Sequence, residues 1–356
     1  MGETPDRRSE VIESSHSISS RFLHAIGRAD NVTIISSSLV DSHLVASSHL
    51  SRLCRPSSSR STGRMASETQ SFTLPSGRPM AYTLSPAEDP SDRVVLLSNS
   101  LAADSSTWDR VAYVIHDQGF RVLRYDNPGH GQSGVPSESE ISSMTFDILA
   151  DEVYYLLQHL GITRLHAWIG NSMGGVKGVY FVARHPGIVN KLVVVDSIAS
   201  SPAVAGVADP FASRVSAAKE AGTLSQDLLN TRKRWFGEDW MAANPDETER
   251  IEKSMATTTV PGFEACCRAL GSPSFDLRPL YPMIGKGSEE ALMVVGENDG
   301  DLPSKMQDMQ KAIEESLRGH GKKVPVQMEV VKSAGHVPYV DNFEDFCISV
   351  IRFLHR

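Results

Sequence analysis

A chain of 356 residues, 40% hydrophobic and 22% charged, has the material for one large core or two modest domains. Its net charge of −8, with no basic stripe, speaks against a nucleic-acid partner. Its uncharged apolar runs, about five to eight residues long, are too short for a membrane span.

Four cysteines, Cys54, Cys266, Cys267 and Cys347, show no C-x-x-C or histidine-rich metal spacing. They indicate a reducing, cytoplasmic setting without a structural metal, and the adjacent pair Cys266-Cys267 reads as helix packing. Residues 1–64 are serine-rich and lack sustained periodicity, so they bury too little apolar surface to offset their ordering entropy. Three readings stand: a disordered extension, an organellar presequence, or sequence upstream of a start at Met65. Glu3, Asp6, Glu10 and Glu13 count against the presequence.

Regular elements begin at Ser71. Ser71–Leu74 and Pro79–Leu84 flank Ser76-Gly77 as a hairpin. Arg93–Leu97 is an apolar strand, followed by a helix from about Thr107 to Gln118 and a strand over Phe120–Tyr125. A helix at Met144–Leu160 precedes a strand at 163–169, a helix after Ser172 and a strand at Lys191–Asp196. Residues 201–273 break this alternation with helical stretches at Ala212–Ala221, Ser225–Trp235, Glu247–Met255 and Gly262–Leu270. Strands return at Glu289–Val295 and Val324–Val331, with helices near Lys305–Leu317 and Asn342–Leu354. The alternation predicts an α/β fold with a mostly parallel, doubly wound sheet, built from 65–200 and 274–356. The all-helical insertion 201–273 is expected to lie over the site as a cap.

Gly170-Asn171-Ser172-Met173-Gly174 sits between a strand and a helix. A serine there needs small neighbours so that the backbone can bend sharply, and the helix behind it offers free N–H groups to an oxyanion. Ser172 is the expected nucleophile. His336, in Ala334-Gly335-His336 after the last strand, is the expected base, and Asp299, after strand 289–295, the acid. Asp196 is the alternative acid, ahead of Asp301. The N–H groups of Met173 and Leu101 are the expected oxyanion donors, Leu101 lying in the loop Ser98-Asn99-Ser100-Leu101. Asp126-Asn127-Pro128-Gly129-His130-Gly131 lacks phosphate-loop spacing and reads as a structural turn, with His130 a hydrogen-bonding brace.

On these residues the chain resembles the α/β-hydrolase superfamily and, within it, the 3-oxoadipate enol-lactonases. The likeness runs from about residue 70 to the end. It includes Trp108-Asp109, Arg124-Tyr125-Asp126, Val294-Val295-Gly296-Glu297, Arg234-Trp235-Phe236 and the segment Gly262–Leu270. It implies a small-molecule ester or lactone substrate, with no metal or organic cofactor. Asn99, Ser100, Trp108, Trp235 and Val337 are expected to line the substrate pocket. One departure stands out: the enol-lactonases usually carry an arginine in the loop before Gly-His-Gly, and this chain has Asn127-Pro128. Two rivals keep the fold: a thioesterase or acyl-cyclising enzyme on the same three residues, and a small-molecule receptor with little turnover.

Overall fold

The structure is a computed structural model that describes residues 68–86 and 93–356. The expectations for segment 1–64 and for a start at Met65 fall outside those residues. Eight strands form one sheet in the order β1-β2-β4-β3-β5-β6-β7-β8. They are β1 (Gln70–Thr73), β2 (Pro79–Leu84), β3 (Val94–Ser98), β4 (Arg121–Tyr125), β5 (Leu165–Asn171), β6 (Val189–Val195), β7 (Glu290–Gly296) and β8 (Gln327–Val331). β1 and β2 pair antiparallel, β2 lies antiparallel to β4, and every later pairing is parallel.

The sequence of the central strands explains their place. β3 is buried at every position, and β5, β6 and β7 at all but one, because helices cover both faces. The first helices in chain order are α1 (Asp109–Asp117), α2 (Glu138–Ser143), α3 (Phe146–His159) and α4 (Met173–Arg184). Between β6 and β7 run α5 (Pro202–Ala205), α6 (Pro210–Ala221), α7 (Ser225–Phe236), α8 (Glu238–Ala243), α9 (Pro245–Ala256), α10 (Val260–Gly271) and α11 (Tyr281–Gly287). α12 (Leu302–Gly319), α13 (Pro338–Asp341) and α14 (Phe343–Leu354) complete the chain. Helices α3, α4, α11 and α12 pack in succession along one face, while α1 and α14 meet on the other.

From β3 the chain steps back to β4 and then outward through β5 to β8. The winding therefore reverses between β3 and β5, and side chains beyond the carboxyl ends of those strands share a crevice. The helical segment after β6 is tied to the loops at that edge. Ser254 Oγ donates to Asp104 Oδ1 at 2.6 Å, Thr259 N to the Gly129 carbonyl at 2.9 Å, and Trp240 Nε1 to the Asp341 carbonyl at 3.3 Å. Cys266 and Cys267 are buried on α10, in packing positions.

Candidate active site

Ser172 follows β5 and caps α4 with φ 54° and ψ −116°, a conformation that costs a non-glycine residue on the order of 1–3 kcal/mol. Its backbone is held from several sides. Its N–H donates to the Val195 carbonyl at 2.7 Å, and its carbonyl accepts from Ser197 Oγ at 2.7 Å and from Gly175 N at 2.9 Å. The turn tolerates no side chain beside it: a Cβ on Gly170 would meet the Gly174 carbonyl, and one on Gly174 the Ser98 carbonyl. This close approach sets the first turn of α4 against the loop after β3.

That loop carries Leu101. The backbone N–H groups of Leu101 and Met173 are buried and have no acceptor among the described residues. Buried donors are almost always paired in folded proteins, so these two open N–H groups are exceptions that call for an acceptor. The loop owes its shape to His130. Ala102, at φ 60°, donates its N–H to His130 Nε2 at 3.1 Å, and His130 Nδ1 donates to the Pro128 carbonyl at 2.8 Å. Burial pushes the imidazole down to about 4, which keeps it neutral and able to accept at Nε2. His130 is thus a brace, as expected.

The Asn127-Pro128 stretch, where the enol-lactonases usually have arginine, is also structural. Asn127 is fully buried; its Nδ2 donates to the Ser100 carbonyl at 3.3 Å and its Oδ1 accepts from Lys177 Nζ at 2.5 Å. Lys177 lies on α4 with no exposed surface, its ammonium 4.6 Å from the centre of the Tyr125 ring. Desolvation pulls this amine down to about 7, against the upward pull of the nearby Glu152 carboxylate. Sequence reading did not single it out, because a lone lysine in a helix reads as solvated.

His336 sits on the loop after β8. Its Nδ1 is 2.6 Å from Asp299 Oδ2, with the two side chains 8% and 12% exposed. Asn171, next to Ser172, donates from Nδ2 to the His336 carbonyl at 3.0 Å and so joins the elbow to the histidine loop. The His336 N–H donates to the Trp235 carbonyl on α7 at 3.3 Å, and the Trp235 ring stacks over the imidazole with centroids 5.9 Å apart. Ser172 Oγ itself has no hydrogen-bond partner among the described residues. Such contacts are often open without substrate and close in the complex.

Asp196, the alternative acid, stands behind Asp299. Its Oδ1 accepts from Gly296 N at 2.9 Å, and no hydrogen bond joins it to His336. Ligand atoms of Asp196, Asp299 and His336 lie within 4.8 Å of one another, the one such cluster among the described residues. At 2.6 Å, however, His336 and Asp299 are spaced as a hydrogen bond; two ligands on a shared zinc ion would stand about 3.3 Å apart for bonds of about 2.0 Å. Asp301 is exposed and pairs with Lys305 at 2.7 Å.

The expected pocket residues divide. Trp235 meets the histidine as described. Trp108 belongs instead to the core, fully enclosed and stacked on Tyr339 at 3.7 Å between ring centroids. Asn99 is fully buried and donates to the Tyr125 carbonyl at 3.0 Å; Ser100 and Val337 are each 1% exposed. Arg234, one residue before Trp235, keeps exposed surface and has no hydrogen bond or ion pair among the described residues. Partial desolvation and the like charge of Arg214 draw its guanidinium down, while Asp299 and Asp227 act the other way.

The sheet order, the crossovers and the place of Ser172 at the reversal are those of an α/β hydrolase. The chain belongs to that family: the family model described as alpha/beta hydrolase fold matches residues 93–343. It is 30% identical over 209 residues to 3-oxoadipate enol-lactonase 2 of Acinetobacter baylyi (strain ATCC 33305 / BD413 / ADP1), covering 58% of this chain and 72% of the relative. It is 22% identical over 272 residues to the pimeloyl-[acyl-carrier protein] methyl ester esterase of Vibrio atlanticus (strain LGP32), covering 74% and 94%. Among solved structures, the enol-lactonase from Burkholderia xenovorans LB400 matches with a TM-score of 0.67 at 27% identity, over 81% of this chain and 100% of that one. A thermophilic esterase from Thermogutta terrifontis shares the fold at 21% identity, TM-score 0.67, over 81% and 98%. No helix among the described residues is long and apolar enough to cross a membrane.

Proposed function

We propose that the protein is a serine hydrolase that opens a carboxylic ester or lactone, with Ser172 as nucleophile, His336 as general base and Asp299 as the acid that orients it. The observation that carries this reading is the 2.6 Å bond from His336 to Asp299, joined through Asn171 to a serine held at φ 54°. In this scheme His336 takes the Ser172 proton as Oγ attacks the carbonyl. The N–H groups of Met173 and Leu101 hold the oxyanion, each contributing on the order of 10²–10³ in turnover. His336 then protonates the leaving oxygen, and a water it activates clears the acyl-enzyme. An enol-lactone would leave as an enol that tautomerises to a ketone, which makes ring opening strongly downhill.

The enol-lactonase relatives favour an enol-lactone, and Arg234, exposed and without an ion-pair partner among the described residues, is the cation this reading assigns to the role that Asn127-Pro128 leaves unfilled. The test is hydrolysis of 3-oxoadipate enol-lactone and of a short activated ester by the full chain and its Ser172→Ala variant. The variant should lose on the order of 10⁵–10⁶ in kcat while folding normally by circular dichroism. Equal rates would remove Ser172 as the nucleophile. Loss confined to the ester, with the lactone untouched by either protein, would keep the hydrolase and retire the enol-lactone.

A further inference from the structure

Asp196 follows β6 at φ 43° and is fully buried. One carboxyl oxygen accepts from Gly296 N; the other, Oδ2, is buried with no donor to meet it. The groups facing Asp196 are Asp299 after β7, His336 after β8, and Asp341 and Tyr339 on α13. Two carboxylates this close and this buried do not both ionise, because each raises the cost of charge on the other. Asp299 has the better claim to the charge, since it is bonded to His336 and lies within reach of Arg234's field.

We propose that Asp196 is a neutral carboxylic acid whose Oδ2–H donates to the Asp299 carboxylate, making it a positioning residue for the acid–histidine pair. The inference rests on the assignment of Asp299 and His336 above. Protonation turns the orphaned Oδ2 into a donor and leaves Oδ1 for Gly296, so both oxygens are satisfied. Electrostatics agree. Burial, then the charge of Asp299, pushes Asp196 well above the ordinary carboxylate range. Burial also acts upward on Asp299, but His336, the contact with Asp196 and the charge of Arg234 hold it below that range. Asp341, bonded to Gly335 N, is itself pushed up to about 7 by burial and adds no full charge at acidic pH. The neutral acid would lock Asp299 in the rotamer that faces His336 and draw off part of its charge.

Asp196→Asn is the decisive variant. Its amide N–H can replace the Oδ2–H, its carbonyl can still accept from Gly296, and asparagine tolerates a positive φ. Asp196→Asn should keep kcat within about threefold of the parent, while Asp299→Asn loses about 10⁴-fold. Asp196→Ala should lose tenfold or more in kcat at unchanged KM. At alkaline pH, where ionisation of Asp196 sets two charges face to face, Asp196→Asn should hold its rate further than the parent. Infrared difference spectra should show the parent's carboxylic-acid carbonyl band missing from Asp196→Asn, a readout independent of turnover. An Asp196→Asn variant as crippled as Asp299→Asn, or a spectrum without that band in the parent, would overturn the proposal. Retained activity in Ser172→Ala would instead undo the nucleophile assignment and leave the infrared result standing.

Discussion

His130 shows how much of this site rests on side chains that touch no substrate. It holds Ala102 at φ 60° and so fixes the loop that presents Leu101. His130→Ala leaves Ala102 N and the Pro128 carbonyl unpaired and buried. Acylation by an activated ester should slow on the order of 10²-fold, read as the burst rate in stopped flow, because small displacements of an oxyanion donor are costly. A burst as fast as the parent's would show that the loop keeps its shape unaided. The places of Ser172 and His336 just beyond strand ends were legible in the sequence, because each lies in a short motif that follows an apolar run. The state of Asp196 was not legible. It depends on Gly296 and Asp299, about a hundred residues away, and on burial that no local pattern encodes.

At the scale of elements, the strands were readable because buried parallel strands are continuous apolar runs, and the expected segments differ from the observed ones mainly at their ends. Within 201–273, helices α6, α7, α9 and α10 were readable from composition and spacing, whereas α8 was not. The four-residue helices α5 and α13 were not, since so short a turn leaves no period to detect. Helix α2 did carry a signal: Ser137 and Glu140 form a capping box at its start. Helix α7 bears the prediction that belongs to this scale, because it sets Trp235 against the histidine and carries Arg234, whose charge acts on Asp299. Arg234→Ala should raise KM for a carboxylate-bearing lactone about tenfold or more and leave a neutral ester unaffected. Equal changes for the two substrates would assign Arg234 to packing instead.

For the molecule as a whole, the most unusual commitment is Lys177, a lysine enclosed beneath the site. Its amine titrates at about 7 in the folded chain, against 10.5 for the ordinary group. Between those values the unfolded chain holds a proton that the folded one lacks. The lysine's contribution is therefore complete above 10.5 and is lost as pH falls through 7. Replacing it with methionine removes this cost, less that of an unmet Asn127 carbonyl. Lys177→Met should raise the thermal midpoint by a few degrees at pH 6–7. That advantage should shrink steadily towards pH 10, as followed by calorimetry; a constant difference across the range would mean that Lys177 does not change its charge on folding.

The contact between Trp235 and the histidine loop bears on how such a protein can diverge. The Trp235 carbonyl receives the His336 N–H and lies so near Gly335 that a Cβ there would strike it. The helical segment after β6 is thus not an interchangeable part. A graft that alters the backbone at Trp235 must also accommodate residues 335 and 336, or it shifts the base itself. Wholesale exchange of the segment is accordingly expected only in variants in which both contacting backbones change together, and single side-chain changes that leave the Trp235 backbone in place come first.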